Sequence, residues 1–283
     1  MMTLAPSRPL LRTLLAGAFG FAAFAWSAQA PAQDAHAAHA QAAVPDFTGY
    51  WQRRGQFPST WEVPEDPALT PGPLVNTITG EQAGLLWVAD HTNAILKPWN
   101  ADYLKARGEA ELIEVNTVAH NICWPSGVPQ VINLREPVQF LQAKDKVTIL
   151  YQRDHTVRHV FMNRDHPADV TPSWYGHSIG HYEGDELVID TIGMNDKTGV
   201  DRFNTQHTTQ LHVVERYRVV EDGQALRVTV TVEDPGAFNV PWFAQATYRR
   251  AGGPINEIVC AENNRDVTTG GDYPIPKDAT PDF

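Results

Sequence analysis

Residues 209–232, which read TQLHVVERYRVVEDGQALRVTVTV, decide the fold class of this protein. Apolar and polar residues alternate on both sides of Glu221-Asp222-Gly223, and such alternation is typical of half-buried β-strands. An Asp-Gly pair between two alternating segments is among the strongest signals of a β-hairpin. The stretch therefore predicts two neighbouring antiparallel strands.

The same alternation predicts which side chains of the first strand point inward. The apolar face includes one carboxylate: Leu211, Val213, Glu215, Tyr217 and Val219. The opposite face is polar: Gln210, His212, Arg216 and Arg218. A buried carboxylate needs a partner, because burying a bare charge costs too much free energy. Glu215 is therefore either an acid of a functional site or half of a structural ion pair with an inward arginine from another strand.

Further strand patterns recur at intervals of about ten residues, without helix patterns between them. They cover residues 147–152, 157–163, 187–192, 238–250 and 255–260. This spacing predicts one all-β domain over residues 45–283, an antiparallel β-barrel of the lipocalin-like type or, alternatively, a sandwich. Two short N-terminal helices are expected before the strands, over residues 81–97 and from the N-cap Asn100 to about Ala110.

The N-terminal segment has the order of residue types found in secretory signal peptides. Arg8 and Arg12 precede an uncharged run over residues 14–26, and small residues follow. That run is shorter than the roughly 20 apolar residues of a transmembrane helix, so no membrane anchor is expected. The pattern predicts a signal peptide over residues 1–32, a flexible leader over residues 33–44, and a periplasmic or secreted protein.

The composition limits the class of partner. Hydrophobic residues make up 42% of the 283 residues, enough for a substantial core, and the formal net charge is -11. Nucleic acid and anionic membrane surfaces attract basic proteins, so neither is expected as a partner. A small-molecule ligand or substrate is the remaining expectation, and the composition leaves the oligomeric state open.

The chain has two cysteines, Cys123 and Cys260. Export would place them in an oxidising compartment, where an even count favours pairing, so we expect one disulfide. A catalytic thiol at Cys123 is disfavoured, because an unpaired thiol in that compartment is open to oxidation.

Residues 174–185, WYGHSIGHYEGD, form the densest group of potentially functional side chains. They contain the G-x-S-x-G pattern that presents a nucleophilic serine in α/β-hydrolases, here Ser178, and Asp190 and His207 follow it in triad order. That motif requires a strand-to-helix turn, whereas a turn and another strand are expected after Gly180. A serine hydrolase is therefore disfavoured.

The 11 histidines raise the question of a metal site. Two ligands on one strand should lie two residues apart, because residues four apart on a strand are separated by about 13 Å. His177 and His181 have the longer spacing, as have His155 and His159, and the sequence contains no standard zinc, calcium or phosphate-loop motif. We therefore expect neither a metal nor a cofactor, with a metal assembled from several strands as the alternative.

What remains is acid–base chemistry in a cavity, since a closing sheet brings polar side chains from several strands together. His177 is the predicted general base and His207 a second proton carrier. Glu215 or Asp190 is the predicted acid that orients the base. The predicted substrate-binding residues combine polar groups with aromatic walls: Arg158, His159, Trp174, Ser178, Tyr182 and Trp242.

The chain resembles a family of exported bacterial proteins whose pattern runs as Trp, then Gly-His-Ser-x-Gly-x-x-Glu-Gly-Asp-x-Leu and Asp-Thr, here between Trp174 and Thr191. The other matching segments are Cys123-Trp124-Pro125, Glu215-Arg216, Asp234-Pro235, Pro241-Trp242 and Cys260 to Asn263. The family commonly has a basic residue and then Trp where His181 and Tyr182 stand. The resemblance covers most of the chain after the leader. It implies export and a Cys123–Cys260 bridge, and it carries over no activity.

These observations predict a periplasmic, cofactor-independent enzyme that uses histidine and carboxylate acid–base chemistry, as a lyase, isomerase or hydrolase. Its expected substrate is a small cyclic or aromatic molecule that bears oxygen. The alternative is a lipocalin-like periplasmic protein that binds such a ligand without turnover.

Overall fold

The structure, a computed structural model, describes residues 44–55, 61–70, 90–111 and 123–260. The predicted signal peptide lies outside these residues, as does the predicted leader apart from Val44. By its internal contacts the chain divides between Gln41 and Ala42, and the fold described here belongs to the second portion. Among the described helices, none has the length and apolar character needed to cross a bilayer.

The described residues form nine strands and one α-helix, α1 (Pro98–Glu111). The strands are β1 (Gly49–Arg53), β2 (Val138–Gln142), β3 (Lys146–Tyr151), β4 (Val157–Met162), β5 (His177–Glu183), β6 (Glu186–Ile192), β7 (His212–Val220), β8 (Ala225–Glu233) and β9 (Trp242–Arg250). Three short 3-10 helices cover Gln130–Asn133, Arg153–His155 and Glu221–Gly223.

The nine strands pair in chain order, and β9 pairs with β1, which closes the sheet into a barrel. This confirms the predicted all-β barrel and excludes the sandwich. All neighbours are antiparallel except β4 and β5, which are parallel. Antiparallel pairs alone were expected, but an odd number of strands cannot alternate in direction around a closed ring. One parallel pair is therefore a geometric necessity.

The hairpin predicted at Glu221–Gly223 is present and joins β7 to β8. The predicted strand over residues 255–260 is wrong. This segment lies against the turn between β3 and β4, where the backbone N–H of Asn256 donates to Gln152 Oε1 over 3.0 Å. The N–H of Ile258 donates to His155 Nε2 over 2.9 Å. The segment thus bonds to side chains of a turn rather than to a strand edge.

Of the two predicted helices, the second is observed as α1. It begins at Pro98, two residues before the predicted N-cap, because proline is well tolerated in the first turn of a helix. Residues 81–89 of the first predicted helix lie outside the described residues. Residues 90–97 form turns and a bridge instead of a helix.

The barrel interior is a packed core of side chains. The predicted alternation holds along β7, where Val213, Glu215 and Tyr217 are buried while Arg218 is exposed. Interior positions on other strands are fully buried apolar side chains: Ile149, Val160, Ile189, Val228, Val230 and Ala244. One polar cluster lies among them: Tyr151, Arg158, Ser178, Thr191, Glu215 and Tyr217.

Arg158 of β4 and Glu215 of β7 form the centre of this cluster. The Arg158 guanidinium donates from Nη1 to Glu215 Oε2 over 3.0 Å and from Nη2 to Oε1 over 2.5 Å. Its remaining N–H groups donate to Ser178, Thr191 and Tyr151, so all five donors are engaged. Burial disfavours the charged guanidinium, but the carboxylate holds the pKa of Arg158 above its ordinary value. Of the two interpretations of Glu215, the structure shows the ion pair with an inward arginine.

Arg158 and Glu215 neutralise each other's charge. Arg158→Met leaves the buried Glu215 carboxylate unpaired, so we expect it to lower the free energy of unfolding by about 3–5 kcal/mol. The double variant Arg158→Met/Glu215→Leu should recover most of that loss. Urea unfolding of the wild type, both single variants and the double variant measures these differences. A double variant no more stable than Arg158→Met would contradict the assignment.

Cys123 and Cys260 form a disulfide across a sequence separation of 137, with a Cα–Cα distance of 5.6 Å. This confirms the predicted bridge and removes Cys123 as a candidate nucleophile. Cys260 is the last residue of the segment 255–260, which lies against the β3–β4 turn, and the disulfide holds this end of the segment in place. It therefore ties the chain after β9 to the chain before β2.

We expect Cys123→Ser/Cys260→Ser to lower the free energy of unfolding by about 5 kcal/mol, the value that the chain-entropy model gives for a loop of this length. Chemical denaturation with and without a reducing agent measures the effect. The double variant serves as the control, because reductant should leave its midpoint unchanged. A wild-type midpoint that is insensitive to reduction would refute this prediction.

Candidate functional site

The G-x-S-x-G pattern has a packing explanation in this structure. Ser178 lies on β5 with its side chain inside the barrel, where Oγ accepts from Arg158 Nε over 2.9 Å and contacts Thr191 Oγ1 over 3.1 Å. Gly176 has a φ of +64°, and a Cβ there would lie 2.4 Å from the Ile192 carbonyl oxygen. The pattern is thus part of a strand and its entry rather than a strand-to-helix turn.

The hydrolase triad is not assembled. Ser178 is 2% exposed and bonded to arginine and threonine rather than to a histidine base. Asp190 lies on the outer face of β6 and bonds to His166 and His212. His207 is buried elsewhere, with Nε2 near the Thr198 hydroxyl. The three members therefore have separate partners, and they form no triad with one another.

The parallel pair β4–β5 leaves a gap in the barrel wall. Its register covers Val160–Met162 of β4 and Ser178–Gly180 of β5, so the first three residues of β4 lie outside this pairing. Residues 163–176 connect the two strands and must return along the barrel, because β4 and β5 run in the same direction. We call this connection the crossover.

A cavity of about 350 Å³ lies beside the unpaired start of β4, and we call it the wall cavity. It is lined by Thr156, Val157, Arg158, His159, Phe161, Ser173, Trp174, Tyr175, Gly176, His177 and Ser178. Five of the residues predicted from the sequence are therefore brought together here: Arg158, His159, Trp174, His177 and Ser178. The cavity is formed by the wall and the crossover, whereas the barrel interior is filled by the core.

His177 is the first member of a hydrogen-bonded chain on the outer face of the barrel. Its Nδ1 lies 2.8 Å from Nδ1 of His166, a residue of the crossover. His166 Nε2 lies 3.0 Å from Asp190 Oδ1. The other oxygen of Asp190, Oδ2, lies 3.0 Å from His212 Nε2. His212 Nδ1 then reaches Glu233 Oε2 over 3.2 Å. We call these five residues the histidine–carboxylate chain.

Sheet register explains how four strands contribute to this chain. His212 and Glu233 are directly opposite each other on β7 and β8, and side chains at such positions are in contact. Asp190 is opposite Val214, so it lies diagonally from His212. On its other side Asp190 is opposite Ile179, two residues from His177 on the same face. His166 bridges this last gap from the crossover.

The carboxylates determine where the protons lie. When it is ionised, Asp190 can only accept hydrogen bonds. His166 Nε2 therefore carries a hydrogen and donates it to Asp190. When His166 is neutral, its Nδ1 is an acceptor, and His177 donates to it from its own Nδ1. This leaves a lone pair on Nε2 of His177. The arrangement fixes the tautomer of His177 through its neighbour, as a carboxylate does for a catalytic histidine.

The pKa shifts agree with this assignment. Burial, and secondarily the nearby His166, lower the pKa of His177, which favours its neutral form. Burial would raise the pKa of Asp190, but hydrogen bonds from His212 and His166 hold it below its ordinary value. The hydrogen bond to Asp190, together with that to Glu233, raises the pKa of His212. The two carboxylates therefore favour the imidazolium form of His212.

The remaining predicted site residues lie outside the wall cavity. Glu215 bonds to Arg158 inside the barrel, so Asp190 is the predicted acid that connects to His177, through His166. Burial lowers the pKa of His207, and its Nδ1 contacts the Thr208 carbonyl.

Tyr182 and Trp242, two aromatic residues predicted to contact the substrate, have structural roles instead. The Tyr182 ring stacks on Phe47 at 6.5 Å between centroids, and its hydroxyl accepts from Gln142. Trp242 is 1% exposed and packs edge to face on Phe238. Arg158 and Ser178 line the cavity, but their hydrogen bonds belong to the core cluster.

The alternation along its strand places His212 on the polar face, and it predicts no functional role for His212 or Glu233. A signal for the pair was present, since the turn at Glu221–Gly223 sets the register that places them opposite each other. Glu233 also lines a second cavity of about 320 Å³, together with Lys97 and Phe238. Within the described ranges, no three His, Cys, Asp or Glu side chains are placed to hold one metal ion.

Comparison with known proteins adds no assignment. No protein-family model matches the chain, and no curated protein is significantly similar to it.

The pKa of His212 provides a test of the histidine–carboxylate chain. We expect Asp190→Asn to lower this pKa, because it removes the carboxylate that most stabilises the imidazolium. A raised histidine pKa stabilises the fold below about pH 6.5, and this contribution is lost as the pH rises through the pKa of the folded state. The loss of stability in Asp190→Asn should therefore shrink at higher pH.

Histidine NMR titration and urea unfolding at several pH values measure these two effects. Asp185→Asn is the matched control, because Asp185 is an exposed acid that bonds to Arg218. It should leave the His212 titration unchanged. An unchanged His212 pKa in Asp190→Asn would contradict the hydrogen-bonded chain.

Proposed function

We propose that this protein is an exported, cofactor-independent acid–base enzyme that acts on a small cyclic or aromatic oxygen-bearing molecule in the wall cavity. The observation that carries the proposal is the hydrogen-bonded link from His177, which lines the cavity, through His166 to Asp190, and this link assigns the lone pair of His177 to Nε2. The Cys123–Cys260 disulfide supports an oxidising compartment and therefore export.

His177 is the general base of the proposed reaction. Its Nε2 takes a proton from the substrate, and the imidazolium so formed donates from Nδ1 to His166. Transfer of that Nδ1 proton moves the positive charge to His166, next to the Asp190 carboxylate. The proton returns by the same route when His177 acts as the acid. Such a cycle serves eliminations, isomerisations and hydrolyses alike.

Aromatic side chains support the choice of substrate class. Phe161 stacks on the His177 ring at 5.4 Å between centroids, so it both shields and orients the base. Trp174 packs on Trp124 at 5.4 Å, and Tyr175 stacks on Tyr151 at 6.2 Å. Three rings that are each held by another ring provide fixed apolar walls for a planar ligand.

Turnover by variants at position 177 tests the proposal. Candidate cyclic and aromatic carbonyl compounds are incubated with the protein in D₂O, and NMR detects exchange of their acidic C–H protons as well as product formation. We expect His177→Ala to reduce turnover at least about 100-fold, the lower end of general-base contributions, while ligand affinity changes little. Asp190→Asn should reduce turnover by a smaller factor, because the base itself is retained.

His181→Gln is the matched control. His181 is on the same strand as His177, but it is exposed and bonds to Glu183 over 2.7 Å, so turnover should be unaffected. Retention of full turnover in His177→Ala would refute the role of the base. Binding that depends on His177 without exchange or product from any bound compound would instead favour the ligand-binding protein.

A further inference from the structure

The wall cavity differs from the rest of the protein in its charge. The chain has 33 acidic residues against 22 basic ones. None of the described residues that line the cavity is Asp or Glu, whereas they include two histidines and one arginine. In a protein of this composition, a cavity lined without carboxylates is suited to a ligand that carries negative charge.

Three carboxylates that bond to lining residues or to His166 are already engaged by donors. Asp154 Oδ2 accepts from the Ser126 N–H, the Ser126 hydroxyl and the Tyr175 hydroxyl. Glu215 is paired with Arg158 inside the barrel. Asp190 accepts from two histidines. Their negative charge is therefore compensated locally, and it opposes an anion in the cavity only weakly.

Two cations lie on the aromatic walls. The Arg164 guanidinium carbon is 5.9 Å from the centroid of Phe161, and the Lys197 ammonium is 5.7 Å from the centroid of Trp174. Arg164 is an exposed residue of the crossover, and among the described residues it makes no hydrogen bond or ion pair. It is therefore a cation over one lining residue of the cavity, Phe161, and its donors remain available to a ligand.

Phe161 connects this cation to the base. Its ring contacts both the Arg164 guanidinium and the His177 imidazole. A planar ligand with an anionic group could thus pair with the guanidinium while another of its atoms approaches Nε2 of His177. Arginine is well suited to this task, because its planar fork binds a carboxylate through two parallel hydrogen bonds.

We propose that the wall cavity binds an aromatic carboxylate, with Arg164 as the residue that recognises the anionic group. This inference rests on the proposed function, since it names the substrate class of the same site. A cationic ligand held between aromatic rings is the opposite possibility. It is disfavoured because protein cations already lie over Phe161 and Trp174, and a third cation would be repelled.

Affinity for three probes of nearly equal size tests the proposal. Benzoate, benzamide and benzylamine present a carboxylate, a neutral amide and a cation on the same ring, and 1-naphthoate with 1-naphthamide repeats the comparison with a larger ring. Calorimetry gives the dissociation constants, and the indole N–H signal of Trp174 in NMR spectra reports whether the probe enters the wall cavity. We expect each carboxylate to bind at least about tenfold more tightly than its amide, a difference of about 1.4 kcal/mol.

Arg164→Gln should abolish this preference and leave the affinity for the amides unchanged. The matched control is Arg218→Gln, which removes an exposed arginine of β7 that pairs with Asp185, and it should retain the preference. Because the side chain of Arg164 is exposed, its removal is not expected to unfold the protein.

Equal binding of carboxylates and amides, tighter binding of benzylamine, or a preference that survives in Arg164→Gln would overturn the proposal. Binding of benzoate that leaves the Trp174 signal unmoved would overturn it as well. None of these outcomes depends on turnover. A failure of His177 as the base therefore appears in the exchange experiment alone, and a failure of the anionic ligand class appears in the affinities alone.

Discussion

Closure of nine strands into one ring is the constraint on which the rest of this structure depends. A ring with an odd number of strands requires one parallel pair, and here it is β4–β5. Parallel neighbours need a connection that returns along the barrel, and residues 163–176 provide it. The short register of this pair leaves the start of β4 without a neighbour on that side, and the wall cavity lies there. The topology thus produces both the cavity and the segment that carries His166.

The Arg158–Glu215 pair explains why we place the proposed chemistry on the wall rather than inside the barrel. The guanidinium uses all five donors within the protein, and both carboxylate oxygens are occupied. A substrate in the interior would have to displace these bonds in a region of low dielectric constant, where unpaired charges are costly. The histidine–carboxylate chain is partly solvated, so a proton can move along it without creating a buried charge. The inner network therefore belongs to the core, and the outer network carries the proposed proton transfer.

Local patterns predicted the barrel class and most of its strands, but not which strands close the ring. The strands around Glu221–Gly223 were found because alternation and an Asp-Gly turn act within a few residues. The five-residue strands β1 and β2 were missed because so short a segment has little periodicity, and the pairing of β1 with β9 joins distant parts of the chain. His177 and Asp190 were predicted as partners, but the link through His166 depends on the path of the crossover. Arg158 shares the inner face of β4 with Val160, and Val160 is paired with Ser178 in a β4–β5 register that no local pattern contains.

His177, the proposed base, and its hydrogen-bond partner His166 lie on parts of the molecule that differ in how freely their sequence can change. His177 is held by the sheet, whereas His166 lies on a connection outside it, and the two meet through one pair of imidazole nitrogens. Insertions or substitutions in the crossover can therefore alter the partner of the proposed base and the proposed ligand-recognising Arg164 without disturbing any strand register. In an evolving lineage, the barrel would serve as a conserved frame, and new substrate preferences would arise by exchange of one surface loop.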